Sequence, residues 1–125
     1  MAHVLVIDDN AVNLDLMLYL LQAFGHVAEG HTDALAALEA AKAGDFDIVL
    51  TDILMPRLDG YEFTRRLRSE ARRYGSIPFV AVTALAMPGD RERISSAGFD
   101  GYIGKPIEPQ AFVAQVESYL RRNGS

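Results

Sequence analysis

The residues with chemical potential in this chain stand where short apolar runs end. VLVI ends in Asp8-Asp9, IVLT in Asp52, FVAV in Thr83-Ala84 and YIG in Lys105-Pro106. Brought into one crevice, these supply three carboxylates, a hydroxyl and an ammonium. Crowded carboxylates raise one another's pKa unless a cation relieves them. Magnesium suits such a crevice, since it prefers oxygen ligands, needs few protein carboxylates and keeps waters that a phosphate can replace. Calcium wants more oxygens and a ligand-rich loop, a spacing that DDNAVN lacks. Transition metals usually recruit histidine, and His3, His26 and His31 lie away from the acid-bearing strand ends. A metal ion, the Lys105 ammonium and a hydroxyl around one carboxylate meet the needs of a transferring phosphoryl group, which are positioning and charge neutralisation. Taken singly, each residue has a plainer role open to it. Asp9 or Asn10 can cap a helix, and Thr83 can be an ordinary strand residue.

One sheet edge must gather these side chains. The strand candidates are His3–Asp8, Val27–His31, Asp47–Asp52, Pro78–Thr83 and Gly101–Gly104, and they alternate with helix candidates at Val12–Phe24, Asp33–Ala43, Tyr61–Tyr74, Asp90–Ala97 and Pro109–Arg122. Gly25, Gly44, Gly75 and Gly98 stand where a helix should stop. Alternation of this kind predicts a doubly wound α/β fold, a five-stranded parallel sheet covered on both faces. The carboxyl ends of all its strands share one edge, where ligands bind in open α/β sheets.

The 125 residues predict a single domain over 1–125. No apolar run approaches the roughly 18 residues of a membrane helix, no basic-then-apolar leader opens the chain, and cysteine is absent. A cytoplasmic protein without membrane attachment is expected. The net charge of -5 argues against direct nucleic-acid binding. The arginines clustered at 65, 66, 68, 72 and 73 share a segment with Glu62 and Glu70, which predicts a solvated face.

In this order the motifs are specific. The acidic pair Asp8-Asp9, the segment Asp52-Ile53-Leu54-Met55-Pro56-Arg57-Leu58-Asp59-Gly60, the pair Thr83-Ala84 and Tyr102-Ile103-Gly104-Lys105-Pro106 resemble the receiver domains of two-component response regulators over nearly the whole chain. The stretch Asp8 to Asn13 is similar to receivers of phosphorelays and to single-domain regulators of bacterial cell polarity and division. The resemblance implies a (βα)5 flavodoxin-like sheet of strand order 2-1-3-4-5. It makes Asp52 the phosphoacceptor. It makes Asp8, Asp9, Asp52 and the backbone carbonyl of Leu54 the Mg2+ contacts, and Lys105 the partner of the phosphoryl oxygens. Thr83 becomes the switch hydroxyl and Tyr102 the switch aromatic, and a cis bond is expected before Pro106. The implied partners are a sensor histidine kinase or histidine phosphotransfer protein upstream and a protein target downstream. The implied role is a signalling phosphoacceptor rather than an enzyme, one that assists its own phosphorylation and loses phosphate slowly, because Leu54 and Leu85 are bulky and apolar.

Two other classes fit less well. Aspartyl-phosphate phosphatases and mutases typically want a second acid two residues after the nucleophile of the first strand, where this chain has Asn10. A flavin protein on the same sheet wants a phosphate loop where Asp8-Asp9 would repel one. Along the first helix, Leu16, Met17, Leu20, Leu21 and Phe24 form the expected buried face at helical spacing. Leu14 and Leu18 fall beside it, either as ordinary surface residues or as a docking ridge for a partner's helical bundle.

Overall fold

The computed structural model describes residues 1–85 and 87–124, with side chains through residue 121. Five parallel strands are β1 (His3–Ile7), β2 (Val27–His31), β3 (Ile48–Thr51), β4 (Phe79–Thr83) and β5 (Gly101–Gly104). They are hydrogen-bonded in the order β2-β1-β3-β4-β5. The helices are α1 (Ala11–Ala23), α2 (Ala34–Ala43), α3 (Gly60–Glu70), α4 (Asp90–Ser96) and α5 (Pro109–Gly124). The expected doubly wound flavodoxin-like sheet is what the chain forms.

Side-chain alternation assigns the two faces. Leu5, Ile7, Val49, Phe79 and Ala81 join Leu38, Phe63, Leu67 and Ile94 of the helices on one side. Val4, Val6, Leu50, Val80 and Val82 join Met17, Leu21, Phe112 and Val116 on the other. β1, β3 and β4 are covered on both faces, so they read as unbroken apolar runs. β2 departs from that description. It is a half-exposed edge strand, and its polar Glu29, Gly30 and His31 reflect this.

Three local expectations need correction. The buried stripe of α1 is Leu14, Met17 and Leu21, while Phe24 is 65% exposed. Leu14 and Leu18 together roof Gly30 of β2, where a Cβ would come within 2.8 Å of both. They are packing residues and cannot form a free docking ridge. α1 is apolar nearly all round, so periodicity alone does not fix its inner face. Second, α3 stops at Glu70, and a 3-10 turn spans Arg72–Gly75. The turn carries Tyr74 into the core, where its hydroxyl donates to the Ala41 carbonyl at 2.6 Å. Third, the arginine cluster is not simply solvated. Arg68 donates to the carbonyls of Tyr74, Ile77 and Gly98, pairs with Asp100 at 3.3 Å and lies 4.2 Å above the Phe79 ring. Arg73 donates to the carbonyls of Ala41, Lys42 and Gly44. Both tie helices together at the edge remote from the acids.

Candidate functional site

Register builds the site. Ile7 pairs with Thr51 and Thr83 with Gly104. The residues that follow, Asp8, Asp52 and Lys105, therefore leave the sheet side by side. The ladder reaches one step further, since the Asp52 amide donates to Ile7 O at 3.0 Å and the Lys105 amide to Thr83 O at 3.0 Å.

Lys105 lies between two carboxylates. Its Nζ donates to Asp52 Oδ2 at 2.6 Å and sits 2.7 Å from Asp8 Oδ2. The second pair is an ion pair without hydrogen-bond alignment, so among the described residues the buried Asp8 Oδ2 has no directed donor. The other oxygen of each acid is fixed by backbone. Asp8 Oδ1 accepts from the Asn10 amide at 2.9 Å, and Asp52 Oδ1 from the Ile53 amide at 2.7 Å. Asn10 in turn caps α1 by accepting from the Asn13 amide. Asp9 is exposed at the rim, yet one oxygen each of Asp8, Asp9 and Asp52 falls within 4.8 Å of the others.

The electrostatics follow from burial. Dehydration holds the Asp8 carboxyl above its ordinary value, against the pull of Lys105 and the Asn10 amide, with the Asp52 charge adding to the rise. Burial also pulls Lys105 down, but the hydrogen bond to Asp52 and the charges of Asp52 and Asp8 outweigh it and hold the ammonium above its ordinary value. Three acids thus face one ammonium. An oxygen-rich site with surplus negative charge and an undirected buried carboxylate oxygen fits a small divalent cation.

The segment after Asp52 is held from behind. Gly60 opens α3, and its amide donates to Ile53 O at 2.8 Å. A Cβ there would overlap the Asp52 carbonyl oxygen and approach Ile53 Cα to 2.9 Å. Asp59 caps the helix through the Glu62 amide. Between Asp52 and Asp59, Arg57 takes a left-handed conformation, φ 69°, and its side chain pairs with Asp33 at 3.0 Å. The backbone of Leu54 leads into this turn, and its side chain is 66% exposed. The Lys105-Pro106 bond is cis, as expected.

Thr83 and Tyr102 meet at Leu85, a residue whose connecting part the sequence does not mark. The Leu85 amide donates to Thr83 Oγ1 at 3.4 Å, and the half-buried Tyr102 donates its hydroxyl to Leu85 O at 2.5 Å. Arg91 of α4 lies 5.4 Å above the Tyr102 ring, and Tyr119 of α5 accepts from the Tyr102 amide at 3.3 Å. Of these supports Arg57, Asp59 and Gly60 are marked in the sequence as part of the Asp52 segment, and Leu85 by its bulk alone. Arg91 and Tyr119 give no signal, because ordinary helix residues serve there.

Comparison with known proteins agrees with this geometry. The sequence profile described as "Response regulator receiver domain" matches residues 4–117. The polar-differentiation response regulator DivK of Brucella ovis is 38% identical over 117 residues, 94% of each chain. Among solved structures, the receiver domain of sensor histidine kinase PA1611 from Pseudomonas aeruginosa superposes with a TM-score of 0.83 at 32% identity. The match covers 99% of this chain and 98% of that one, which holds a magnesium ion in its active-site cleft. The chemotaxis protein CheY4 of Vibrio cholerae superposes at 0.89 with 27% identity, covering 95% and 98%. With the acids and the lysine gathered at the edge that this fold uses for ligands, the chain belongs to the response regulator receiver domain family, the signalling modules of two-component systems.

Proposed function

We propose that Asp52 accepts a phosphoryl group from a phosphohistidine on a sensor kinase or phosphotransfer protein, with residues 1–125 acting as one receiver unit. The observation that carries this is the Lys105 ammonium, 2.6 Å from Asp52 Oδ2 and 2.7 Å from Asp8 Oδ2. It already stands where the oxygens of an incoming phosphoryl group need a cation. An Asp52 oxygen bonds to phosphorus as the P–N bond breaks, and the electron pair of that bond returns to the donor imidazole. Asp8, Asp9, Asp52 and the Leu54 carbonyl would hold Mg2+, which supplies further neutralisation of the transferring charge. Lys105 orients the acceptor before transfer and pairs with a phosphoryl oxygen after it. Gly60 keeps the Asp52 backbone in place.

The readout starts from Leu85. Thr83 moving to donate to a phosphoryl oxygen would stretch its 3.4 Å contact with the Leu85 amide, and Leu85 also holds the Tyr102 hydroxyl. The acyl phosphate brings about two negative charges and new acceptors to this edge. Its pull on Thr83 therefore loosens the residue that restrains Tyr102, shifting the surface of α4, β5 and α5 between two states that partners distinguish. Leu54 and Leu85, two residues past Asp52 and Thr83, are bulky and apolar and favour slow hydrolysis. The exposed side of α1, with Val12 77% and Tyr19 70% exposed, replaces Leu14 and Leu18 as the surface that a phosphodonor's helices would meet. A cytoplasmic setting fits the partners. No helix among the described residues is long and apolar enough to cross a membrane.

The test is intact mass after incubation with acetyl phosphate and Mg2+. The wild-type chain gains one phosphoryl adduct and Asp52→Asn gains none. An adduct on the variant would overturn the assignment.

A further inference from the structure

We propose that Tyr61 and Arg93 form a second line of communication from Asp52 to α4, separate from Thr83 and Tyr102. The proposal rests on the phosphoacceptor reading above.

The line starts in the main chain. Gly60 packs against the Asp52 carbonyl without room for a methyl group and donates its amide to Ile53 O. A backbone shift at Asp52 and Ile53 is therefore passed to Gly60, and from there to its neighbour Tyr61. The Tyr61 ring meets the edge of Phe99 at 6.2 Å between centroids, and the Arg93 guanidinium of α4 lies 5.6 Å above it. The Tyr61 hydroxyl is buried and meets no protein donor or acceptor among the described residues. Burial accordingly pushes its pKa up. A buried hydroxyl without a partner disfavours the arrangement that confines it, so this contact is satisfied by its ring and not by its polar end.

α4 is built to respond. Glycines in left-handed conformation bracket it, Gly89 at φ 92° and Gly98 at φ 100°, and no side chain caps its start. Ile94 is its one buried residue. Two arginines clasp it to its neighbours from either side, Arg91 on Tyr102 and Arg93 on Tyr61. A cleft of about 350 Å³ lined by Tyr61, Arg93, Ser96 and Ala97 leaves space on the α3 side. A short, glycine-bounded helix held by such clasps is an element that a shift at Tyr61 would bias between two arrangements. The Arg91 clasp belongs to the Tyr102 route. The Arg93 clasp reaches α4 from α3 and needs neither Thr83 nor Tyr102.

The test uses beryllofluoride with Mg2+ as the phosphoryl mimic and amide hydrogen exchange across residues 90–97 as the readout. Thr83→Ala silences the first route. The second then leaves a residual change in α4 exchange of about threefold on beryllofluoride addition. Adding Arg93→Gln removes that remaining response, and Arg93→Lys, which keeps a cation over the ring, retains it. Abolition of the whole response by Thr83→Ala alone would overturn the proposal, as would an undiminished response in the Thr83→Ala, Arg93→Gln protein. Beryllofluoride binding is followed separately by fluorine NMR. A wild-type chain that binds none would instead refute the phosphoacceptor assignment.

Discussion

Replacing Asp8 by Asn should stabilise the metal-free protein, although it removes one partner of a buried ion pair. Asp8 is fully buried. Its attraction to Lys105 at 2.7 Å amounts to about 6 kcal/mol at an effective dielectric near 20. Repulsion from Asp52, with an oxygen within 4.8 Å, offsets part of it. Dehydration of the buried carboxylate outweighs the attraction that remains and decides the sign. That term opposes the ionised form, in agreement with the raised Asp8 pKa. Asn retains an oxygen for the Asn10 amide, and Lys105 retains Asp52. The expected gain is about 1 kcal/mol at pH 7, at the low end for relieving a buried charge, since Lys105 keeps Asp52.

The pH dependence has a definite sign. A folded-state pKa above the ordinary 3.8 means that the native state keeps a proton the unfolded chain has lost. Wild-type stability from this group is full below 3.8 and falls as pH rises through the folded value. The variant lacks that fall. Mg2+ reverses the ranking, because ligand at a hundredfold excess over its Kd stabilises the wild type by about 2.7 kcal/mol and the variant has lost a ligand. Urea unfolding with EDTA and with Mg2+, at matched m-values, measures both effects. An Asp8→Asn protein less stable than wild type in EDTA would refute the claim that dehydration decides the sign.

Other outcomes follow from single contacts. Gly60→Ala should destabilise by about 2–4 kcal/mol, since the clash is with backbone and outweighs the helix-propensity gain, and it should slow acetyl phosphate labelling measured by mass. Tyr74→Phe removes one of two donors to the Ala41 carbonyl, leaving Arg73, and should lower unfolding free energy by about 1 kcal/mol in urea titration. Lys105 carries a raised pKa, so its contribution to stability is full below 10.5 and lost as pH rises through the folded value, and Lys105→Met should flatten that alkaline limb of the unfolding profile. Leu54→Asn should shorten the acyl-phosphate lifetime about tenfold or less, read by loss of the mass adduct with time.

The acids and the lysine are legible in the sequence because parallel strands have one carboxyl edge and the register carries each of these residues one step past it. Strand ends that are far apart along the chain are therefore neighbours in space. Boundaries read from sequence run a residue or two long wherever the ladder continues past the strand, as at Asp52, whose amide still bonds Ile7. Larger differences have a common cause. The inner face of α1 cannot be phased from hydrophobicity that surrounds the helix, and only the presence of Gly30 opposite Leu14 and Leu18 decides it. The arginines at 68 and 73 look solvated because sequence shows charge and not the carbonyls that receive it.

The same distinction bears on how the switch is controlled. The residues that would meet the phosphoryl group, Asp52, Lys105 and Thr83, carry the chemistry and leave strong marks in the sequence. Those that would set the balance between the two states leave almost none. Leu85 acts through its backbone amide and carbonyl, which every residue but proline possesses, so any side chain could stand there without altering the connection between Thr83 and Tyr102. Arg91 and Arg93 act through ring faces on opposite sides of α4, and their spacing of two residues is what sends them to different neighbours. A substitution in this second group should therefore leave phosphoryl transfer intact while moving the equilibrium it controls. Such substitutions are where chains with the same acids and lysine are free to differ in what they report.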